Sequence, residues 1–368
     1  MSYQYPVYRP RLTGRERDLV LECIDSTWIS SKGKFIGEFE SRFARYLGAE
    51  HALSVSNGTV ALHVALEALG VGPGDEVIVP TLTYIASVNA IAYTGATPVF
   101  VDSERDYWQL DVDAVRAKIT PRTKAIMPVH LYGQACDMEA LMALAAEHSI
   151  YVVEDCAEAL GTRIGDRFVG TYGDVATFSF FGNKTITTGE GGMVVAKDPA
   201  VASLIARLKG QGLAANREYW HDIIGYNYRM TNICAAIGCA QMEDIDGVIA
   251  QKQKIAEWYG QGLAGLPLAR HAVKPGTFHS FWMVSVVTDQ AEDRDPLREH
   301  LKAAGVETRP LFYPVHTMTM YGGGDPADYP VADYLARRGI NLPSYPDLTE
   351  NDVSQICGHI RAYFSRNG

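Results

Sequence analysis

The sequence predicts an α/β fold, a large unit built on a mainly parallel, mixed sheet followed by a smaller α+β unit. Three observations carry that expectation. Short β-rich runs alternate with amphipathic helical stretches between residues 35 and 196. The texture changes after about residue 198, where long helical stretches take over. The chain, at 368 residues, is also longer than a single small core requires.

In order along the chain, FIGEFESRFARYLG (35–48) carries apolar residues at helical spacing and leads into HALSV (51–55), a run of strand length. VALHVALEALG (60–70) reads as a helix, EVIVP (76–80) as a strand, residues 85–93 as a helix and TPVFV (97–101) as a strand. KAIMPV (124–129), a helix over 138–148, IYVVED (150–155), VATFSFF (175–181) and GMVVA (192–196) continue the series. Strands joined through helices are parallel neighbours, and such sheets hold ligands outside the carboxyl ends of their strands. One long helical tract is expected over roughly 230–263, then HSFWMVSVV (279–287), helix DPLREHLKAAG (295–305), ETRPLF (307–312) and a last helix from Thr349. The boundary is placed inside the long helix, giving residues 1–245 and 246–368, with the first ~30 residues able to pack on the smaller unit.

Composition removes several function classes. With 33 basic against 43 acidic residues, the formal charge of −10 argues against a nucleic-acid or membrane-surface binder, though not against one built phosphate pocket. Cys23, Cys136, Cys156, Cys234, Cys239 and Cys357 form no CxxC and read as small buried hydrophobes in a reducing compartment. No apolar leader or eighteen-residue apolar run occurs, so a cytoplasmic chain is expected. Without a secretion signal, Asn57-Gly-Thr59 and Asn183-Lys-Thr185 are not read as glycosylation sites.

Familiar motifs fail first. Gly70-Val-Gly72-Pro-Gly74 follows a helix and precedes a strand, the reverse of a dinucleotide fingerprint, and no GxxxxGK[ST], GxSxG or HExxH is present. Ser56-Asn57-Gly58-Thr59 turns from a strand into a helix, where free N–H groups and the positive dipole end suit a phosphate; a plain N-cap is the other reading. Glu154-Asp155 ends the strand IYVV, so a buried carboxylate there needs a cationic partner, or else it caps the next turn. Lys184 lies between an aromatic strand and a Gly-rich return, with Ser179 and Asn183 beside it. Most lysines are solvated, but these flanks suit a desolvated amine able to form a Schiff base. A phosphate turn, a strand-end carboxylate and a lysine, in that order along an α/β chain, are what a pyridoxal 5′-phosphate enzyme requires.

The chain also resembles the DegT/DnrJ/EryC1/StrS family of sugar aminotransferases, members of the aspartate aminotransferase fold (fold type I). The resemblance runs through TWISSKG (27–33), SNGTVALHVAL (56–66), GPGDEVIVPTLTYIAS (72–87), GATPVFVD (95–102), MPVHLYGQ (127–134), VVEDCAEALG (152–161), GDVATFSFFGNKTITTGEGGMV (173–194) and GYNYRMTNICAAIG (225–238). It implies that Lys184 bonds the cofactor and Asp155 partners its pyridine nitrogen. It implies that Gly58, Thr59 and Ser179 hold the phosphate with Asn227 of a second subunit, and that Tyr84 stacks on the ring. The resemblance also implies that Glu158 lies beside the cofactor, at a position where many relatives have Gln or His.

One branch of the family replaces the lysine by His and removes a hydroxyl; retention of Lys184 implies transamination instead. The donor implied is L-glutamate, with pyridoxamine phosphate as the intermediate cofactor form. The segments around Lys184, GYNYRMTN and RPLFYPVH (309–316) are most similar to the branch that aminates C4 of GDP-4-keto-6-deoxymannose. Trp28, Ser30, Ser31, Arg229, Arg309 and His316 become candidates for binding this nucleotide-linked 4-keto-6-deoxy sugar, against plain packing or solvation. A homodimer with shared sites, or dimers paired into a tetramer, is implied, with no metal. The competing expectations are a UDP- or dTDP-linked acceptor, a catalytically silent regulatory relative, and a nicotinamide-dependent enzyme weakened by the missing glycine fingerprint.

Overall fold

Residues Arg15–Asp25 (α1) and Lys34–Leu47 (α2) precede the first strand, His51–Val55 (β1). The chain then alternates through Gly58–Ala68 (α3), Glu76–Pro80 (β2), Ile85–Tyr93 (α4), Thr97–Val101 (β3), Val112–Lys118 (α5), Thr123–Ile126 (β4), Met138–His148 (α6) and Tyr151–Asp155 (β5). A short hairpin, Arg163–Ile164 (β6) and Arg167–Phe168 (β7), leads to Val175–Ser179 (β8), Gly192–Ala196 (β9) and Pro199–Leu208 (α7). This is a computed structural model, and it describes residues 3–214 and 216–367.

The seven-stranded sheet has the order β1-β9-β8-β5-β4-β2-β3. β9 runs against both its neighbours, while β8, β5, β4, β2 and β3 pair parallel. The exception has a local cause: β8 returns to β9 through a loop without a helix, and such a direct return yields antiparallel partners. Period-two alternation sends Val77 and Val79 into one core with Val64, Leu66 and Ile91. The intervening Ile78 joins Ile126, Leu141 and Val152 on the opposite face. Further along that face, Phe178, Met193 and Val195 bury against Phe39 and Phe43 of α2. The sheet is thereby covered on both sides, which a largely parallel sheet requires.

Beyond α7 come Asn232–Met242 (α8), Ile245–Gly262 (α9), Leu268–Arg270 (β10), Thr277–Phe278 (β11), Val284–Thr288 (β12), Arg294–Ala303 (α10), Arg309–Pro310 (β13), Pro330–Arg338 (α11), Gly339–Leu342 (β14) and Glu350–Asn367 (α12). The single helix expected over 230–263 is two helices. Asp244 leaves helical geometry (φ −120°, ψ 15°) between them, with Arg11 at 3.5 Å from its carboxylate. Its other oxygen folds over the new first turn, where a Cβ at Gly247 would come within 2.3 Å. A side chain at 247 would require the Asp244 carboxylate to move.

A four-stranded antiparallel sheet, β10-β12-β14-β13, packs on α9, α10 and α12 around Tyr259, Val286, Leu301, Ile340 and Ile356. The N-terminal segment joins this body: Tyr5 N–H donates to Gly305 O (3.1 Å), Glu307 N–H to Tyr5 O (2.8 Å) and Ser344 N–H to Val7 O (3.1 Å). A three-stranded sheet, β11-β6-β7, ties the two bodies together. No described helix is long and apolar enough to cross a membrane. All six cysteines are free thiols, five of them buried.

Candidate active site

Four elements converge at the carboxyl end of the large sheet: the ends of β5 and β8 and the starts of α3 and α4. Asp155 closes β5 and is buried. Its Oδ2 accepts from Ser87 Oγ (2.8 Å), which is itself paired with Thr83 Oγ1 (3.0 Å). Oδ1 accepts from Ala157 N–H (3.0 Å), so the carboxylate also organises the following turn, as the capping alternative requires. Preceding Glu154 points the other way and accepts from the N–H groups of Gly170 (2.7 Å), Tyr172 (2.8 Å) and Gly173 (2.6 Å) and from His130 Nε2 (3.1 Å). With its lone pairs spent on that loop, Glu154 is a scaffold residue.

The phosphate turn follows from alternation along β8. Phe178 and Phe180 face α2, stacking edge-on with Phe43 at 5.0 and 5.5 Å, which turns Ser179 toward α3. There it meets Gly58: a Cβ at 58 would lie 2.8 Å from Ser179 Cβ. Asn57 caps α3 by accepting from Val60 N–H (3.0 Å), leaving the amides of Gly58 and Thr59 without an acceptor among the described residues. A helix start with open amides and a serine hydroxyl against it is an anion site with two independent supports.

Lys184 sits in the turn after β8, its N–H bonded to Phe181 O (2.9 Å) and its carbonyl held by Tyr8 Oη–H (2.7 Å). Its Nζ lies 3.7 Å from Glu158 Oε1 and 4.0 Å from the centroid of the Trp282 ring. Glu158 Oε2 accepts from Tyr132 N–H (2.9 Å). Burial pushes the lysine amine below its ordinary range, with Glu158 and Asp155 opposing. Burial pushes the Glu158 carboxyl up to about 7, against Lys184 and the Tyr132 amide. In both groups burial acts against the charged form, and the opposite charge across 3.7 Å acts for it.

Tyr84 begins α4 with its side chain 57% exposed, leaning on Phe312 (5.7 Å between centroids) and leaving a ring face open. Asn227 and Arg229 are exposed and bonded to one another (3.2 Å), while the alternate Tyr226 and Tyr228 stack on each other and meet His63 edge-on or tilted. Asn227 shows no bond to its own chain's phosphate turn. Trp28 and Ser30 lie on an exposed loop, with the half-buried Ser31 next along; their backbone is pinned to α8 through Asn232 Nδ2–H to Trp28 O (2.7 Å) and Asn232 N–H to Ser30 O (2.6 Å). Arg309 is exposed and faces Glu307 at 3.8 Å. His316 is turned inward: Nδ1 pairs with Thr81 Oγ1 (2.7 Å) and Nε2 with Asp325 O (3.0 Å), which occupies both nitrogens.

Residues 10–361 match the DegT/DnrJ/EryC1/StrS aminotransferase family. The chain belongs to that family. Among curated relatives it is 57% identical to the GDP-perosamine synthase of Escherichia coli O157:H7, covering 98% of each chain. It is 52% identical to the GDP-perosamine synthase of Vibrio cholerae, over 98% of this chain and 99% of that one. Among solved structures, Spr1654 from Streptococcus pneumoniae superposes with a TM-score of 0.94 in its PLP form and 0.95 in its PMP form, at 29% identity over 99% of this chain and 99% and 98% of those.

For a member of the DegT/DnrJ/EryC1/StrS family, the residues present fit pyridoxal phosphate. The open amides beside Ser179 suit its phosphate, Tyr84 offers a ring face, Asp155 is a buried strand-end carboxylate, and Lys184 is a desolvated amine. Sequence reasoning missed Ser87, Tyr132 and Trp282. Ser87 was within reach, because it occupies the first turn of the helix that follows β2. Trp282 was not: within HSFWMVSVV it reads as one more apolar strand residue.

Proposed function

We propose that the chain is a pyridoxal-phosphate-dependent nucleotide-sugar aminotransferase. It moves the amino group of L-glutamate to the C4 ketone of GDP-4-keto-6-deoxymannose, giving GDP-perosamine. The observation that carries the reaction class is the Lys184 amine, held out of water beside Glu158 in the same site as Asp155. Identities of 57% and 52% over nearly the whole chain support the acceptor.

When bound, the cofactor supplies an electron sink that stabilises negative charge on the carbon bearing the transferred nitrogen. The chain's residues do the rest. Asp155, fixed by Ser87 and the Ala157 amide, would hold the ring nitrogen and keep a negative charge against it. Gly58, Thr59 and Ser179 would hold the phosphate, and Tyr84 would cover one ring face. Lys184 takes a proton from carbon and returns it, which its lowered basicity suits. The same residues serve both half-reactions, because the second reverses the first.

We infer further that the working unit is a homodimer in which Asn227 completes the partner's phosphate site. Its exposed position, and the exposed Tyr219, Trp220 and Ile224 on the same segment, support that reading. Residues 1–245 would bind cofactor and 246–368 would close over the sugar.

The test is a set of nucleotide-linked keto-sugars assayed with L-glutamate. GDP-4-keto-6-deoxymannose should react fastest, and equal rates with UDP- and dTDP-linked acceptors would sink the GDP assignment. Lys184→Ala should abolish turnover of every acceptor.

A further inference from the structure

The aromatic side chain under Lys184 comes from a distant part of the chain and is held on several sides. Trp282 is buried, and its Nε1–H donates to Asn183 O (2.7 Å), one residue from Lys184. Its carbonyl accepts from Lys252 Nζ (3.1 Å), which also donates to Ser344 O (2.8 Å). Its ring lies parallel to Tyr132 at 6.1 Å, with an interplanar angle of 8°. Tyr8 adds a second link, facing Lys252 Nζ with its ring (4.8 Å) and bonding Lys184 O with its hydroxyl. The backbone and the amine of Lys184 are therefore both located by groups that rest on Lys252.

This arrangement answers a physical problem. An ammonium drawn out of water must recover its lost hydration from fixed groups, or it gives up its proton. Glu158 offers a carboxylate on one side, and Trp282 offers an indole face, the side chain whose π-system attracts cations most strongly. The titratable groups around the amine are Glu158 and Asp155 from the end of β5, and Tyr8 from the N-terminal segment. Tyr132 presents its amide to Glu158, and Lys252 stands behind Trp282.

We propose that Trp282 is a catalytic residue, and that with Glu158 it forms a cradle holding the Lys184 amine as an ammonium between its proton transfers. This rests on the reading of Lys184 given above. The cradle does two things: it keeps the amine in one place while it is not bonded to the cofactor, and it sets the pH at which the amine is charged.

The test reads the amine directly. Full-length protein carrying pyridoxamine phosphate, in which Lys184 is not bonded to the cofactor, is treated with cyanate from pH 6 to 10. Carbamylation of Lys184 is then followed by peptide mass spectrometry, with the exposed Lys302 as internal reference. In Trp282→Leu the labelling midpoint should fall by about one pH unit, with up to ~10-fold faster labelling at neutral pH. Trp282→Phe, which keeps a weaker ring and loses the bond to Asn183, should fall between the two. Glu158→Gln should lower the midpoint as well, because it removes the negative charge while keeping an acceptor for the Tyr132 amide. Wild-type midpoints in both Trp282 variants would overturn the cradle; if Trp282→Leu does not fold, Trp282→Phe alone decides. Wild-type protein that takes up no cofactor, or Lys184→Ala that keeps full turnover, would instead remove the underlying functional reading.

Discussion

The site depends on the Ser87 hydroxyl and on the absence of a side chain at Gly58, and each gives a direct expectation. Ser87→Ala removes the hydroxyl that holds Asp155 Oδ2. Leaving a buried carboxylate oxygen short of one donor costs about 1–2 kcal/mol, so cofactor affinity should fall roughly 5- to 30-fold by fluorescence titration. Gly58→Ala forces a methyl to within 2.8 Å of Ser179 Cβ and lifts the helix start away from the strand. Pyridoxal phosphate should then bind at least ~10-fold more weakly, while pyridoxal without the phosphate binds as in wild type, because only the helix-start amides are displaced. Lys184 and Asp155 stand out in the sequence because of unusual flanks, an aromatic strand, a Gly-rich return and a carboxylate closing an apolar run, and the structure brings the two into one pocket of side chains. Trp282 and Tyr132 do not, since their roles arise from packing across 98 and 52 residues of chain from Lys184. His316 misleads for a related reason. Its ring looks available in RPLFYPVH, yet Thr81 and the Asp325 carbonyl consume both nitrogens.

Between elements, the decisive contact joins the turn after β3 to the segment before β12. Phe281 N–H donates to His279 Nδ1 (2.9 Å), His279 Nε2 pairs with His271 Nδ1 (3.3 Å), and His271 Nε2 reaches Tyr107 O (2.7 Å). An amide at one end and a carbonyl at the other fix both tautomers: His279 and His271 each carry the proton on Nε2. His271 also lies flat on Trp108, centroids 4.2 Å apart. Burial holds His271 down to about 4 and His279 well below its ordinary value. A depressed histidine contributes stability that is complete above pH 6.5 and is lost as pH falls, because the unfolded chain gains protons the fold refuses. For His271 alone the loss between pH 6.5 and 4 amounts to about 3 kcal/mol. Calorimetry should show the melting temperature declining through that window, and His271→Phe, which retains the stack on Trp108, should decline less steeply. The large-sheet strands were readable because each is an apolar run bounded by turn residues. The two-residue strands β6, β7 and β11 have no period to read, and four-residue β14 follows directly from the Arg-rich end of α11.

For the whole molecule, the exposed segment before α8 sets the expected assembly. Tyr219 and Ile224 are 93% and 88% exposed, a display of large apolar groups that solitary chains seldom keep. In the proposed homodimer, Ile224→Asp should shift sedimentation from dimer to monomer and, because Asn227 would then be lost to the partner, weaken cofactor binding at least ~10-fold. Sheet order lay beyond the sequence, since it depends on which surfaces meet rather than on local pattern. The placement of residues 5–8 also bears on how the molecule is made. These residues are synthesised before the large sheet, yet their partners around Gly305, Glu307 and Ser344 are synthesised well after it. All seven strands of the large sheet lie between residues 51 and 196 and can assemble while translation continues. Trp282 arrives only afterwards. A nascent chain therefore has Lys184, Asp155 and the turn at Gly58 in place before Trp282 and the partners of residues 5–8 are made.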